Sequence, residues 1–431
     1  MNDCMNNSIY KKYTYIYFSS FRLNVKNPPS LFYNILLFIL RLVKRLLMLE
    51  FNYPKLGTVF YFEPSLNNRK SLEGTKKNIP DNLIVSCPNY YHFFPEAWVY
   101  IYSCLHIFSF FKFYKSLNKE DSELVRFYFL DFVLSMGFKI VIDKCLQKNA
   151  QLKAIVMAND HLVIAMCLKD LASKYGIKTI YTQHASITER FPPLNFDYSF
   201  LDGTESFEKY EKIGNISGNV YLSGSPRFDE IYTIVPETVK EFTVGLAINS
   251  LDNILKVQNL CTSLIHKGFT RILLRPHPRM EKQIDWGSFV NMGVKFSMPS
   301  EETSFHFLNR ISCLISNESG VHLDAAMLGV PSIQYNLSEH GLLDWYGYAR
   351  TGLIPLASNN NELFYYLNHN KHVKDELVRY YVASHRTQLQ GRVGEVIGEY
   401  IIAIINDKST EILDDIYFSK SKDSYFMIRK L

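Results

Sequence analysis

Short apolar runs that end in polar turns recur along this chain, and they leave few folds open. AIVM gives way to Asn159-Asp160-His161, KTIY to Thr182 through Ser186, and FDYSF to Leu201 through Glu205. Farther on, ILL ends in Arg275-Pro276-His277-Pro278-Arg279, and CLI ends in Ser316-Asn317-Glu318-Ser319-Gly320. The runs are rich in β-branched and aromatic residues and read as strands. Between them lie helical patterns: Leu162 to Tyr175 closed by Gly176, a stretch after FTVGLAI up to Lys267, and Val321 to Leu328 closed by Gly329. Strands without polar alternation are buried on both faces, and strands that alternate with helices form parallel, doubly wound sheets.

Two such series are visible. The first opens with Leu56 to Phe62 and Leu83 to Cys87, and the second at Phe242. Trp98 to Phe113 reads as one apolar, aromatic core helix. A polar stretch at 233–241 containing Pro236 reads as a hinge. The expected organisation is therefore a basic, partly amphipathic segment over 1–55, an α/β domain over 56–235, a second over 236–360, and a helical tail over 361–431 packing back on the body. Two such domains facing each other enclose a cleft, and ligands of parallel α/β sheets bind beyond the carboxyl ends of the strands.

Composition narrows the class. Hydrophobic residues make up 47% of the 431 and charged ones 21%, which excludes bulk disorder. A mean hydropathy of −0.08 excludes a multi-span membrane protein. The seven cysteines are scattered and form no CxxC, so neither a zinc nor a disulfide framework is expected, and a reducing compartment is. Of the net charge of +5, residues 1–55 carry +6, with eight Lys and Arg against Asp3 and Glu50. The remainder is near neutral, so nucleic acid is not the expected partner, and the asymmetry points to an anionic membrane surface met by one end of the chain. Within that end, Leu31 to Leu49 is long enough to span a bilayer but is interrupted by Arg41, Lys44 and Arg45. A helix lying in the interface fits better than a span, with a buried helix as the alternative. The first 30 residues lack the apolar core and cleavage site of a signal peptide.

The polar turns hold the candidate chemistry. Two prolines fix His277 on a rigid loop, and Arg275 and Arg279 bracket it with charge, an arrangement suited to a phosphate leaving group. Ser316, Ser319 and Gly320 precede a helix whose N-terminus favours anions; a plain N-cap is the alternative reading. Asp202, followed by Gly203, can take a proton from an attacking hydroxyl or serve as a turn aspartate. Asp160, Gln183 and His184 are further candidates on the same side. The chain holds no P-loop, no GxGxxG after a strand, no HExxH, DxD or GxSxG.

Together these residues resemble bacterial glycosyltransferases of the two-domain GT-B type, the sialyltransferases and polysialyltransferases above all. Those enzymes carry an acidic-acidic-Gly motif, a His-Pro motif and a serine pair, in that order. LDGTESF at 201–207 looks like the first, His277-Pro278 like the second, and Ser319-Gly320 stands at the third. Leu201 replaces the first acidic residue and Gly320 the second serine. The resemblance implies that Asp202 activates the acceptor hydroxyl, that His277 contacts the donor phosphate, and that Ser319, with Ser316, binds the same phosphate. It also implies an inverting, metal-independent transfer, with no cofactor, from a CMP-activated acidic sugar to a lipid-linked or surface oligosaccharide at the cytoplasmic face of a bacterial plasma membrane. The stretch SNESGVHLDAAMLGVPSIQYN and QHA at 183–185 are similar to parts of CDP-glycerol and Kdo transferases and of UDP-GlcNAc 2-epimerases, so a glycerophosphotransferase, a UDP-sugar transferase or an epimerase is the alternative, and a non-catalytic polysaccharide-binding protein a third. The resemblance covers residues 150–350.

Overall fold

A computed structural model describes residues 9–15, 17–21, 27–87, 93–188, 190–234, 241–339, 341, 344–369 and 374–418. The chain divides into two compact units, Met1–Arg227 with Arg392–Leu431, and Phe228–Gly391. Most of the expected hinge, residues 235–240, lies outside the described residues.

The first unit is built on a parallel six-stranded sheet: β1 (Val59–Phe62), β2 (Ile84–Cys87), β3 (Ala154–Met157), β4 (Lys178–Thr182), β5 (Asn195–Leu201) and β6 (Ser217–Leu222), in the order β2-β1-β3-β4-β5-β6. β1 and β3 are buried at every position, as strands covered on both faces must be. The pairing of β5 with β6 slips between Asn195 and Tyr198, opposite Gly218, which sits at φ 77° against the Phe196 carbonyl where no β-carbon fits.

The second unit repeats the plan with β7 (Val244–Ala247), β8 (Ile272–Arg275), β9 (Lys295–Phe296), β10 (Cys313–Ser316), β11 (Ser332–Tyr335) and β12 (Leu356–Ala357). Its order is β12-β11-β10-β7-β8-β9, all parallel, so the winding reverses between β7 and β10. That is the doubly wound order, and its crevice opens beyond the carboxyl ends of those two strands. The α/β architecture of two doubly wound sheets read from the sequence is present.

Two expected boundaries move. The tail over 361–431 is divided between the units. The helix Asn360–Asn368 buries Leu363 and Leu367 in the second unit's core, and Val378, Tyr381 and Val382 join another cluster there. Only the helices Val393–Ile405 and Glu411–Phe418 belong to the first unit, where Gly394 and Gly398 lie so close to the Gly74 and Thr75 backbone that a larger residue would collide. The stretch Trp98 to Phe113 is two helices, Glu96–Leu105 and Ile107–Lys115, because His106 leaves helical geometry at φ −103°, ψ 10°.

Leu31–Leu47 is a helix, capped by Ser30, whose hydroxyl accepts from the Tyr33 N–H at 3.1 Å. Among the described residues no helix is long and apolar enough to cross a membrane.

Candidate functional site

In the first unit, the turns after β3, β4, β5 and β6 stand side by side at the carboxyl edge of the sheet, and they bring Asp160, Gln183, His184, Asp202 and Gly203 to that edge. Gln183 ties the turns together. Its side-chain oxygen accepts from the Asp202 N–H at 2.9 Å, and its amide donates to Ser206 Oγ at 2.9 Å and to the Ala185 carbonyl at 3.0 Å. The Ser225 hydroxyl, after β6, donates to the Gln183 carbonyl at 3.2 Å. A buried amide so fully engaged positions its neighbours.

The two aspartates differ in what they have left to offer. Asp160 is buried and committed on both oxygens: Oδ1 meets His161 Nδ1 at 2.9 Å, and Oδ2 accepts from the Tyr210 hydroxyl at 2.9 Å. Burial alone would raise its pKa, but the bond and charge of His161, with Lys169 and Tyr210, hold it below the usual carboxylate range. Asp202 is 4% exposed, and its Oδ1 has no hydrogen-bond partner among the described residues. Burial pushes its carboxyl up to about 7, against the pull of Arg227, whose guanidinium stands 4.0 Å from Oδ2. Glu205, in the first turn of the helix Thr204–Ile213, adds to the rise. A carboxylate that titrates near neutral pH with an unspent oxygen is poised to exchange a proton. Gly203 is the N-cap of that helix, in extended backbone at φ −170°.

His184 is pushed down to about 4, first by burial and then by the charge of His161, so its ring is neutral at pH 7. Its Nδ1 has no partner among the described residues.

In the second unit, β8 delivers Arg275, His277, Pro278 and Arg279, and β10 delivers Ser316, Ser319 and Gly320; the two strands flank β7. The members of this group are placed differently. The Arg275 guanidinium donates to Ser297 Oγ at 2.9 Å and to the Glu302 carbonyl at 2.9 Å, which anchors the loop after β9. The Ser316 hydroxyl is fully buried and donates to the Ala247 carbonyl at 2.6 Å, joining β10 to β7. His277, Pro278 and Arg279 are at least partly open to solvent, as are Ser319 and Gly320. His277 Nδ1 accepts from the Arg279 N–H at 3.2 Å, so in the neutral ring Nε2 carries the proton and is the donor. Burial and then Arg279 lower its pKa, which favours that neutral form. A β-carbon on Gly320 would meet nothing within 4 Å, so the missing second serine leaves open space.

Several residues that shape these edges were not singled out in the sequence. Arg227 and Ser225 follow β6 in SGSPR, a sixth polar turn after an apolar run, the signal that marked the other five. Asp252 is one of two more: it accepts from Asn317 Nδ2 at 2.7 Å and from the Asn249 N–H at 2.7 Å, locking the turns after β7 and β10 together at the point where the winding reverses. The other, His322, is buried; its Nε2 donates to the Asn317 carbonyl at 2.9 Å and its Nδ1 meets Ser332 Oγ at 3.1 Å. Burial pushes His322 down to about 4. The folded state thus holds it neutral, and stability present above pH 6.5 is lost as pH falls toward 4. His322→Ala should cost about 2 kcal/mol at pH 7 and less at pH 5, where the wild type is itself weakened. Denaturant unfolding of the full chain at the two pH values measures both.

A cavity of about 490 Å³ in the first unit lies elsewhere, at the amino ends of β4, β5 and β6, with Thr179, Asn195, Phe196 and Ser217 among its walls. Among the described residues no three His, Cys, Asp or Glu side chains come together as a metal-binding group.

No protein-family model matches the chain, and no curated protein matches its sequence. Solved structures are similar in shape. A putative UDP-N-acetylglucosamine 2-epimerase from Listeria monocytogenes is 11% identical, with 83% of this chain and 98% of that one covered and a TM-score of 0.48. The wall teichoic acid polymerase TagF is 14% identical, with 88% and 99% covered and a TM-score of 0.47. The UDP-GlcNAc 2-epimerase from Neisseria meningitidis, bound to UDP-GlcNAc, is 12% identical, with 82% and 100% covered and a TM-score of 0.45. Likeness at this level assigns no activity to the chain.

Proposed function

We propose that the protein is an inverting glycosyltransferase of the GT-B kind, moving an acidic sugar of the sialic acid type from a CMP-activated donor to a surface oligosaccharide, without a metal. The observation that carries this reading is Asp202: a buried carboxylate at a strand's carboxyl end, with one oxygen unspent and a pKa brought to about 7. In the reaction, the Asp202 carboxylate takes the proton of the acceptor hydroxyl as that oxygen attacks the anomeric carbon. The bond from that carbon to the phosphate oxygen breaks, and CMP leaves with the electron pair. His277, through Nε2–H, and Ser319 donate to the phosphate as its charge grows, with Arg279 adding positive charge. Donors aimed at developing charge are the usual source of the largest catalytic gain. Arg275, Ser316, Gln183 and Asp160 hold the turns that carry these groups. The acceptor is anchored at the inner face of the plasma membrane, where the enzyme is peripheral; the +6 charge of residues 1–55 supports that placement.

The donor base is tested by thermal unfolding of the full chain with CMP, CDP, UDP or GDP. A nucleotide at about 100 times its Kd stabilises by about 2.7 kcal/mol. Stabilisation by cytidine nucleotides alone is the expected result. A response to UDP alone overturns the cytidine donor and leaves a UDP-sugar enzyme. The transfer itself is then assayed with a CMP-sugar and with CDP-glycerol; turnover of the latter alone replaces glycosyl transfer by glycerophosphate transfer.

A further inference from the structure

The helix Leu31–Leu47 lies on its unit with its two sides reversed from the usual order. Asn34, Phe38 and Arg45, at spacings of four and seven, make the side that faces the protein. Asn34 Nδ2 donates to the Arg126 carbonyl at 2.6 Å, and the Phe38 ring lies 5.3 Å from that of Tyr100. Arg41 is exposed, with its charge felt by the Tyr100 hydroxyl, and Arg45 pairs with Glu50 at 3.2 Å and with the buried Glu96. The opposite side is apolar: Phe32, Leu36, Ile39, Leu40, Val43 and Leu47 are 77, 45, 47, 59, 47 and 78% exposed. An amphipathic helix of a globular protein buries its apolar stripe. Here Arg45, one of the three basic residues that interrupt the run, is turned inward onto carboxylates, and the stripe is left outside. No described residue covers it.

We propose that this stripe inserts into the surface of a lipid bilayer. Two observations favour lipid over a second copy of the chain. The helix has 17 residues and is about 25 Å long, and its outer stripe of six apolar residues holds no charge, the pattern of a helix that lies in a membrane interface. Residues 1–55 also carry +6, which repels a like surface and attracts an anionic one. Insertion of the apolar side is thus the main contribution, and the basic residues add attraction to anionic headgroups. The sequence expectation is a helix lying in the membrane interface; the structure adds which side is free to enter it, with Arg45 held on carboxylates of the protein and the apolar stripe exposed. The inference stands apart from the reading of the Asp202 edge, and either can fail without the other.

Flotation of the full chain with phosphatidylcholine vesicles containing about 30% phosphatidylglycerol tests it. The wild type is expected to float with the vesicles, and the double variant Leu36→Glu/Leu40→Glu at least tenfold less, with an unchanged circular dichroism spectrum and Tm. Val43→Ser/Leu47→Ser, a milder change on the same stripe, should weaken flotation in the same direction and serves if the first pair fails to fold. Failure of the wild type to float, or equal flotation of a folded variant, overturns the proposal. So does a micromolar dimer that Leu36→Glu/Leu40→Glu converts to monomer without any vesicle binding, which would assign the stripe to a second copy.

Discussion

Replacing Asp202 with asparagine should lower kcat/KM for sugar transfer by about 10²–10⁴-fold while leaving the protein at least as stable at pH 8. The two expectations have one cause. Burial raises the folded carboxyl from 3.8 to about 7, so the folded state binds a proton that the unfolded chain has released. Stability from this group is present below pH 4 and is lost as pH rises to about 7, where the buried carboxylate ionises. The wild type therefore carries a cost at pH 8 on the order of a few kcal/mol, partly relieved by Arg227, and asparagine removes it. The same ionisation gives kcat/KM of the wild type a rising limb with a midpoint near 7, which Asp202→Asn abolishes. A drop in activity with an intact rising limb would place the base elsewhere. Asp160→Asn separates the two aspartates. Both Asp160 oxygens are bonded, so that change should lower Tm, and any residual activity should keep the limb.

How much of this was legible in the sequence depends on the kind of signal. Strands buried on both faces announce themselves as unbroken apolar runs, and Lys178–Thr182 and Ala154–Met157 fall where those runs do. The helix Phe129–Lys148 does not. Its apolar and buried residues fall on every side, and so it has no one-sided period to detect. The division of the tail was equally hidden, because Leu363 and Val396 are alike as residues and differ only in the core they enter. At the site, residue type marked Asp202 and His277, but nothing in the sequence distinguishes an arginine facing solvent from Arg275, whose guanidinium is bonded to Ser297 and Glu302. Arg227 was within reach of the rule that found the others. The orientation of Leu31–Leu47 was not: three basic residues on one helical side are compatible with water, headgroups or buried carboxylates, and only the Glu96 partner decides among them.

Gly137→Ala should be among the most damaging of the small substitutions in the first unit. In an exposed helix that change gains about 1 kcal/mol. Gly137, however, sits midway along Phe129–Lys148 where that helix crosses Glu96–Leu105, and a β-carbon there would overlap the Val99 carbonyl oxygen and the Ser103 hydroxyl. The serine cannot simply swing aside, since its hydroxyl donates to that same carbonyl at 2.8 Å, and the carbonyl is backbone. Both helices are buried here, with Val99, Ser103, Met136 and Phe138 all inside, so relief requires the helices to part and opens voids along the seam. The net loss should be about 2–3 kcal/mol, a Tm lower by about 5–10 °C. Gly320→Ala provides the contrast, because its β-carbon meets nothing and its backbone, at φ −60°, is already helical. That variant should unfold within about 2 °C of the wild type. If Gly137→Ala unfolds there too, the close crossing of the two helices is not what holds this layer over the sheet.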